Sequence, residues 1–108
     1  MITITVYQNQ KEVMGFRCFG HSGYADAGKD IVCAGVSALV LNTINSIEAF
    51  TDAKYQVDTD AKTGLIDFQL NGNADHDTAL LINAMILGLQ GIQNDYGNKY
   101  IILRFKEV

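Results

Sequence analysis

Two long stretches of this chain carry apolar residues at helical spacing, and short alternating segments flank both. Few folds accommodate that arrangement. From Asp30 to Phe50 the apolar stripe is Val36, Leu39, Val40, Thr43, Ile44, Ile47 and Phe50. Apolar side chains at this spacing line one face of a helix, which is the face a folded chain buries. Ala34, Gly35, Ser37 and Ala38 are small and allow a neighbour to approach closely over the first turns. The second stretch begins at Asn73 or Asp75, runs to about Tyr96 and presents Leu81, Ile82, Met85, Ile86, Leu89 and Ile92. Asp and Asn accept hydrogen bonds from the free amides of a helix start, which suits Asp30 to the first helix and either Asn73 or Asp75 to the second. Gly97-Asn98 ends the second helix.

The remaining segments alternate apolar and polar residues, the period of a half-buried strand. They are Ile2–Tyr7, Val13–Phe19, Tyr55–Thr59, Leu65–Leu70 and Tyr100–Phe105. Gln8–Glu12 and Asp60–Gly64 are short polar links, so the first four strands form two hairpins. The order ββαββαβ predicts an α+β fold: a mostly antiparallel sheet with two helices packed on one face. The 108 residues suit a single domain, residues 1–108. Leu41, Leu80 and Leu87 lie outside the two narrow stripes, and this surplus of apolar surface predicts a homodimer.

Charge narrows the partners. The net charge is −4 and no Lys/Arg cluster is present, which disfavours direct nucleic-acid recognition and suits a basic peptide or protein tail. Two cysteines, Cys18 and Cys33, do not make a secreted disulfide framework. The start MITITVYQNQ lacks the basic and apolar regions of a signal peptide. Asn, Thr, Ser or Gly interrupt the apolar runs before they reach membrane-spanning length. The expectation is a soluble cytoplasmic protein with no membrane partner.

Chemistry concentrates in Gly20–Leu39. His21 precedes Cys33 across a glycine-rich loop, and Asp30 marks a helix start just before the cysteine. Histidine accepts a proton near neutral pH. A cysteine in the first helical turn has its thiolate favoured by the helix dipole and the free amides there. A base and an activatable thiol are the minimum equipment of cysteine nucleophilic catalysis. The bland alternative is equally open at this point: Cys33 as a small core residue and His21 as a structural loop histidine. Capping accounts fully for Asp30, although it could also orient His21, a role for which Asp26 is the weaker candidate. Cys18 reads as core filler, and His76, between Asp75 and Asp77, as a solvated helix terminus.

Two rival motifs overlap the loop. Gly23 to Lys29 has the G-x4-G-K spacing of a phosphate-binding loop, but Asp30 stands where Ser or Thr should hold magnesium. His21, Cys33, Asp26 and Cys18 could form a zinc site on paper, yet none of the recognised ligand spacings is present. No cofactor and no metal are expected.

Gly20-His21, then Gly28-x-Asp30-Ile31-Val32-Cys33-Ala34, then Ser37, resembles the signature of the ribosomal-processing cysteine protease family, Prp. The likeness extends to the element order and to the second helix, Thr78–Tyr96. The resemblance implies a cytoplasmic, homodimeric endopeptidase with a mobile loop between His and Cys. Its substrate would be the precursor of ribosomal large-subunit protein number twenty-seven, cut after a hydrophobic, Phe-containing sequence. The family's catalytic His and Cys fall on His21 and Cys33, and its other motif positions on Gly20, Asp30 and Ser37. Gly20, Gly23 and Gly28 would let the loop fold over substrate. Apolar side chains beside the loop, with Tyr24, would receive the substrate's aromatic residues. A non-catalytic ribosome-associated or regulatory dimer, with the loop as its docking surface, is the alternative from another class. A redox sensor built on Cys33 is a third.

Overall fold

Alternating β-branched residues start the chain as a strand, and the same period recurs in four later segments. The computed structural model describes residues 1–26 and 29–108, so the loop glycine Gly28 lies outside the described residues. Strands β1 (Ile2–Asn9) and β2 (Glu12–Phe19) form a hairpin, followed by helix α1 (Ile31–Phe50). Strands β3 (Tyr55–Asp60) and β4 (Leu65–Leu70) form a second hairpin, followed by α2 (His76–Tyr96) and β5 (Ile101–Glu107). The fold is α+β; among the described residues the strands form one sheet in the order β3-β4-β2-β1-β5. Every pairing is antiparallel except β1 with β5.

Burial alternates along β1 as expected, whereas β5 is buried only at its first residue. Ile2, Ile4 and Val6 of β1 are buried, with Phe16 and Cys18 of β2, Phe68 of β4 and Ile101 of β5. Phe68 lies across from Phe16 in the β2–β4 ladder, and the two rings stack at 4.9 Å. Tyr55 of β3 stacks on the same Phe68 ring at 5.1 Å. This aromatic column ties the second hairpin to the first. It also carries the β3–β4 turn to the end of β2, where His21 emerges.

Both helices cover this apolar surface. Val36, Val40, Ile44 and Ile47 of α1, and Ile82, Met85, Ile86 and Leu89 of α2, join one core cluster with the strand residues. The helices pack closely where Gly88 faces Leu39: a Cβ on Gly88 would sit 2.9 Å from Leu39 Cδ1.

The stripe of α1 ends one turn earlier than expected. Ile47 is fully buried, but Phe50 is 76% exposed and lies outside the core cluster. The expectation that no apolar run reaches membrane-spanning length also needs correction. Helix α1 is long and apolar enough to span a bilayer by composition, with a mean hydropathy of 1.5. Its buried face is instead committed to the sheet and to α2. Leu41, Leu80 and Leu87 lie outside the core and are exposed, as the stripe assignment requires.

Candidate active site

Asp30 is the N-cap of α1, and its Oδ1 accepts the backbone N–H of Cys33 at 2.9 Å. This fixes Cys33 in the first turn, half-buried, with its side chain against the core. The same carboxylate accepts the hydroxyl of Ser22 through Oδ2. Ser22 is nearly fully buried, and its own backbone N–H donates to Cys33 Sγ at 3.2 Å. The amide of Tyr24 in turn donates to Ser22 Oγ at 3.1 Å. Ser22, Asp30 and Cys33 therefore close a ring of hydrogen bonds that joins the segment after β2 to the start of α1.

Charge follows from these contacts. Burial disfavours the ionised form of Asp30, but hydrogen bonds from the Ser22 hydroxyl, the Cys33 amide and thiol, and the Ala25 amide outweigh it. Together they bring its carboxyl down to about 2. Cys18, next to the end of β2, is a buried core residue as expected. Burial first, and then the nearby Cys33, push its thiol up to about 11.

His21 reaches the site from the other side. Its ring is exposed, and Nε2 lies 3.0 Å from the carbonyl oxygen of Lys62, in the β3–β4 turn. The Asp30 carboxylate accepts from the Ser22 hydroxyl and the Cys33 amide, whereas the His21 ring meets the Lys62 carbonyl. His21, Cys33 and Ser37 line two adjoining clefts. One, of about 430 Å3, runs toward Leu41 of α1 and toward the β3–β4 hairpin, with Ile2, Cys18, Leu65 and Ile66 in its wall. The other, of about 470 Å3, lies toward the loop, beside Gly23, Ala25, Asp30 and Ala34. Gly20 lines the first cleft. All five expected site residues thus border one region.

Tyr24 is partly exposed in the loop. It packs edge-on against Tyr96 at 5.6 Å and Tyr100 at 5.2 Å, holding the first part of the loop to the end of α2. His76 is a solvated terminal residue as expected, paired with Asp77 at 3.2 Å. Ser22 and the Lys62 carbonyl were not found by sequence reasoning. Ser22 acts through both its hydroxyl and its amide, and Lys62 through its carbonyl; all of these contacts depend on how the loop and the β3–β4 turn fold, which no local pattern shows.

The family model for the cysteine protease Prp matches residues 1–101. The chain belongs to the Prp family of cysteine proteases. It is 32% identical over 101 residues to the ribosomal processing cysteine protease Prp of Bacillus subtilis, covering 89% of this chain and 90% of that one. The crystal structure of the Staphylococcus aureus ribosomal processing protease Prp with a covalently linked product peptide superposes with a TM-score of 0.93. Identity is 29%, and the match covers 98% of this chain and 100% of that one. The same protease with a substrate peptide gives a TM-score of 0.86 at 28% identity, with the same coverage of both chains. Membership in Prp makes the chain a cysteine protease and sets aside the non-catalytic and redox-sensor alternatives as its class.

Proposed function

We propose that this chain is the endopeptidase that removes the N-terminal extension of ribosomal large-subunit protein number twenty-seven, cutting after a hydrophobic, Phe-containing sequence, with His21 and Cys33 as its dyad. The observation that carries the reading is the meeting of two clefts at these two side chains. An extended peptide crossing that junction leaves residues on both sides of the scissile bond in contact with protein, as an endopeptidase requires. The largely apolar wall of the cleft beside Leu65 and Ile66 suits hydrophobic substrate residues. The net charge of −4 suits a basic ribosomal protein.

His21 takes the thiol proton, and the sulfur of Cys33 attacks the scissile carbonyl. The Cys33 amide is occupied by Asp30. The Ser22 amide, directed at the sulfur, is therefore placed to receive the developing oxyanion as the sulfur bonds to carbon. His21 returns the proton to the leaving amine, and water hydrolyses the thioester. Asp30 holds the cysteine-bearing turn, Ser37 borders both clefts, and Gly20 ends β2 beside His21. The protein works in the cytoplasm without a cofactor, metal or nucleic-acid partner. The exposed Leu41, Leu80 and Leu87 support a homodimer.

The test is incubation with a synthetic peptide spanning the extended N-terminus of that ribosomal protein, read by mass spectrometry beside Cys33→Ala. The expected result is one cut after the aromatic residues, absent in the variant. A peptide left intact by the native protein, or cut equally by the variant, overturns the proposal.

A further inference from the structure

A carbonyl oxygen only accepts hydrogen bonds. The 3.0 Å contact between His21 Nε2 and the Lys62 carbonyl therefore places a proton on Nε2 and leaves the lone pair of the neutral ring on Nδ1. We infer that the Lys62 carbonyl is a positioning group for the reaction: it holds His21 so that Nδ1 is the base that receives the Cys33 proton. The inference rests on His21 acting as the base in the proposed reaction.

The turn that presents this carbonyl is held on several sides. The Lys62 amide donates to Asp60 Oδ1 at 3.0 Å, which closes an Asx-type turn over the two residues. The Gly20 amide, beside His21, donates to the Thr63 carbonyl at 2.9 Å. Gly64 has φ +70°, and a Cβ there would lie 2.3 Å from the Gly20 carbonyl oxygen. The β3–β4 turn and the end of β2 are thus in backbone contact, so the carbonyl and the imidazole share one frame. The device is a main-chain group carried by a neighbouring hairpin, and it orients the base as a side-chain carboxylate or amide does in other nucleophile–base–orienter systems.

The experiment is a two-bond proton–nitrogen correlation spectrum of the full chain labelled with 15N-histidine, taken with the rings neutral. His76→Gln assigns the two histidines. The expected spectrum shows His21 Nε2 protonated and Nδ1 unprotonated. In Asp60→Ala and Gly64→Ala the two nitrogen shifts move toward a tautomeric average. The turnover number for peptide cleavage falls about tenfold or more with KM little changed, since small misplacement of a reacting group is costly. Asp60→Asn, which keeps the accepting Oδ1, restores both. Should Gly64→Ala fail to fold, the Asp60 pair carries the test.

A protonated Nδ1 in the native chain overturns the inference. So does a loss of activity in Asp60→Ala with an unchanged tautomer, or a loss confined to KM. The Cys33→Ala peptide assay decides the proposed function separately.

Discussion

The two helices of this protein begin alike and end up with different tasks. Each has an aspartate at its N-cap, and each cap accepts the amide three residues on: Cys33 for Asp30 at 2.9 Å, Thr78 for Asp75 at 2.7 Å. His76 follows Asp75 directly in sequence, and His21 lines the same cleft as Asp30. At α2 the histidine is solvent-exposed and pairs with Asp77. At α1 the segment after β2 passes over the start, burying Ser22 and aiming its amide at the cysteine sulfur. A capped helix start is thus only a scaffold. The crossing segment and the β3–β4 turn give the first one the surroundings of the proposed reaction centre.

The largest test of this comparison removes each cap. Asp30→Ala and Asp75→Ala should each cost about 1 kcal/mol of stability, the ordinary loss for a cap. Only Asp30→Ala should also lower kcat/KM for peptide cleavage, by about tenfold or more, because it frees both Ser22 and the cysteine turn. Equal activity in the two variants would break the distinction.

A smaller effect appears in acid. The Asp30 carboxyl lies near 2 in the fold, below its ordinary value of 3.8, so the folded chain binds fewer protons than the unfolded one. Its contribution to stability is fully present above pH 3.8 and is lost as pH falls toward 2. Asp75 is lowered by the Thr78 backbone amide first and so shifts in the same direction. Denaturant titrations across this range should show Asp30→Asn with a flatter acid limb than the native chain, and Asp75→Asn with a lesser change.

The smallest effect is a gain. Thr78 is fully buried and its hydroxyl has no partner among the described residues. Thr78→Val keeps the shape and removes the stranded hydroxyl, so it should raise stability by up to about 1 kcal/mol with cleavage unchanged. A loss of stability would show that the hydroxyl is satisfied in solution.

Much of this was legible in the residues. Asp30 and the stripe after it gave α1 its limits, and the alternation of Leu65–Leu70 gave β4 exactly its span, because a cap and a period of two are local properties. The end of β5 was not legible. Lys106 and Glu107 are polar and join the ladder only through parallel pairing with Tyr7 and Gln8, a contact distant in sequence. Phe50 misled because a periodic stripe does not reveal where the core beneath it stops. In the site, residue types chosen for their chemistry, His21, Cys33 and Asp30, were visible. Lys62 was invisible because its carbonyl reaches His21 only once β2 pairs with β4.

The parallel pairing of β1 with β5 has a kinetic consequence. The β1–β2 hairpin closes through the two turn residues Gln10 and Lys11, whereas the outer ladder must bring Ile101 beside Ile2. Closing that near-full-length loop costs about 3 kcal/mol more entropy than closing the hairpin. Both hairpins and α1 can therefore be in place while the C-terminal strand is still searching for its edge of the sheet. The chain has no proline, so no slow X-Pro isomerisation competes with that search. Refolding should be paced by the arrival of β5, whereas every side chain of the proposed dyad and its supports belongs to the part of the chain before α2.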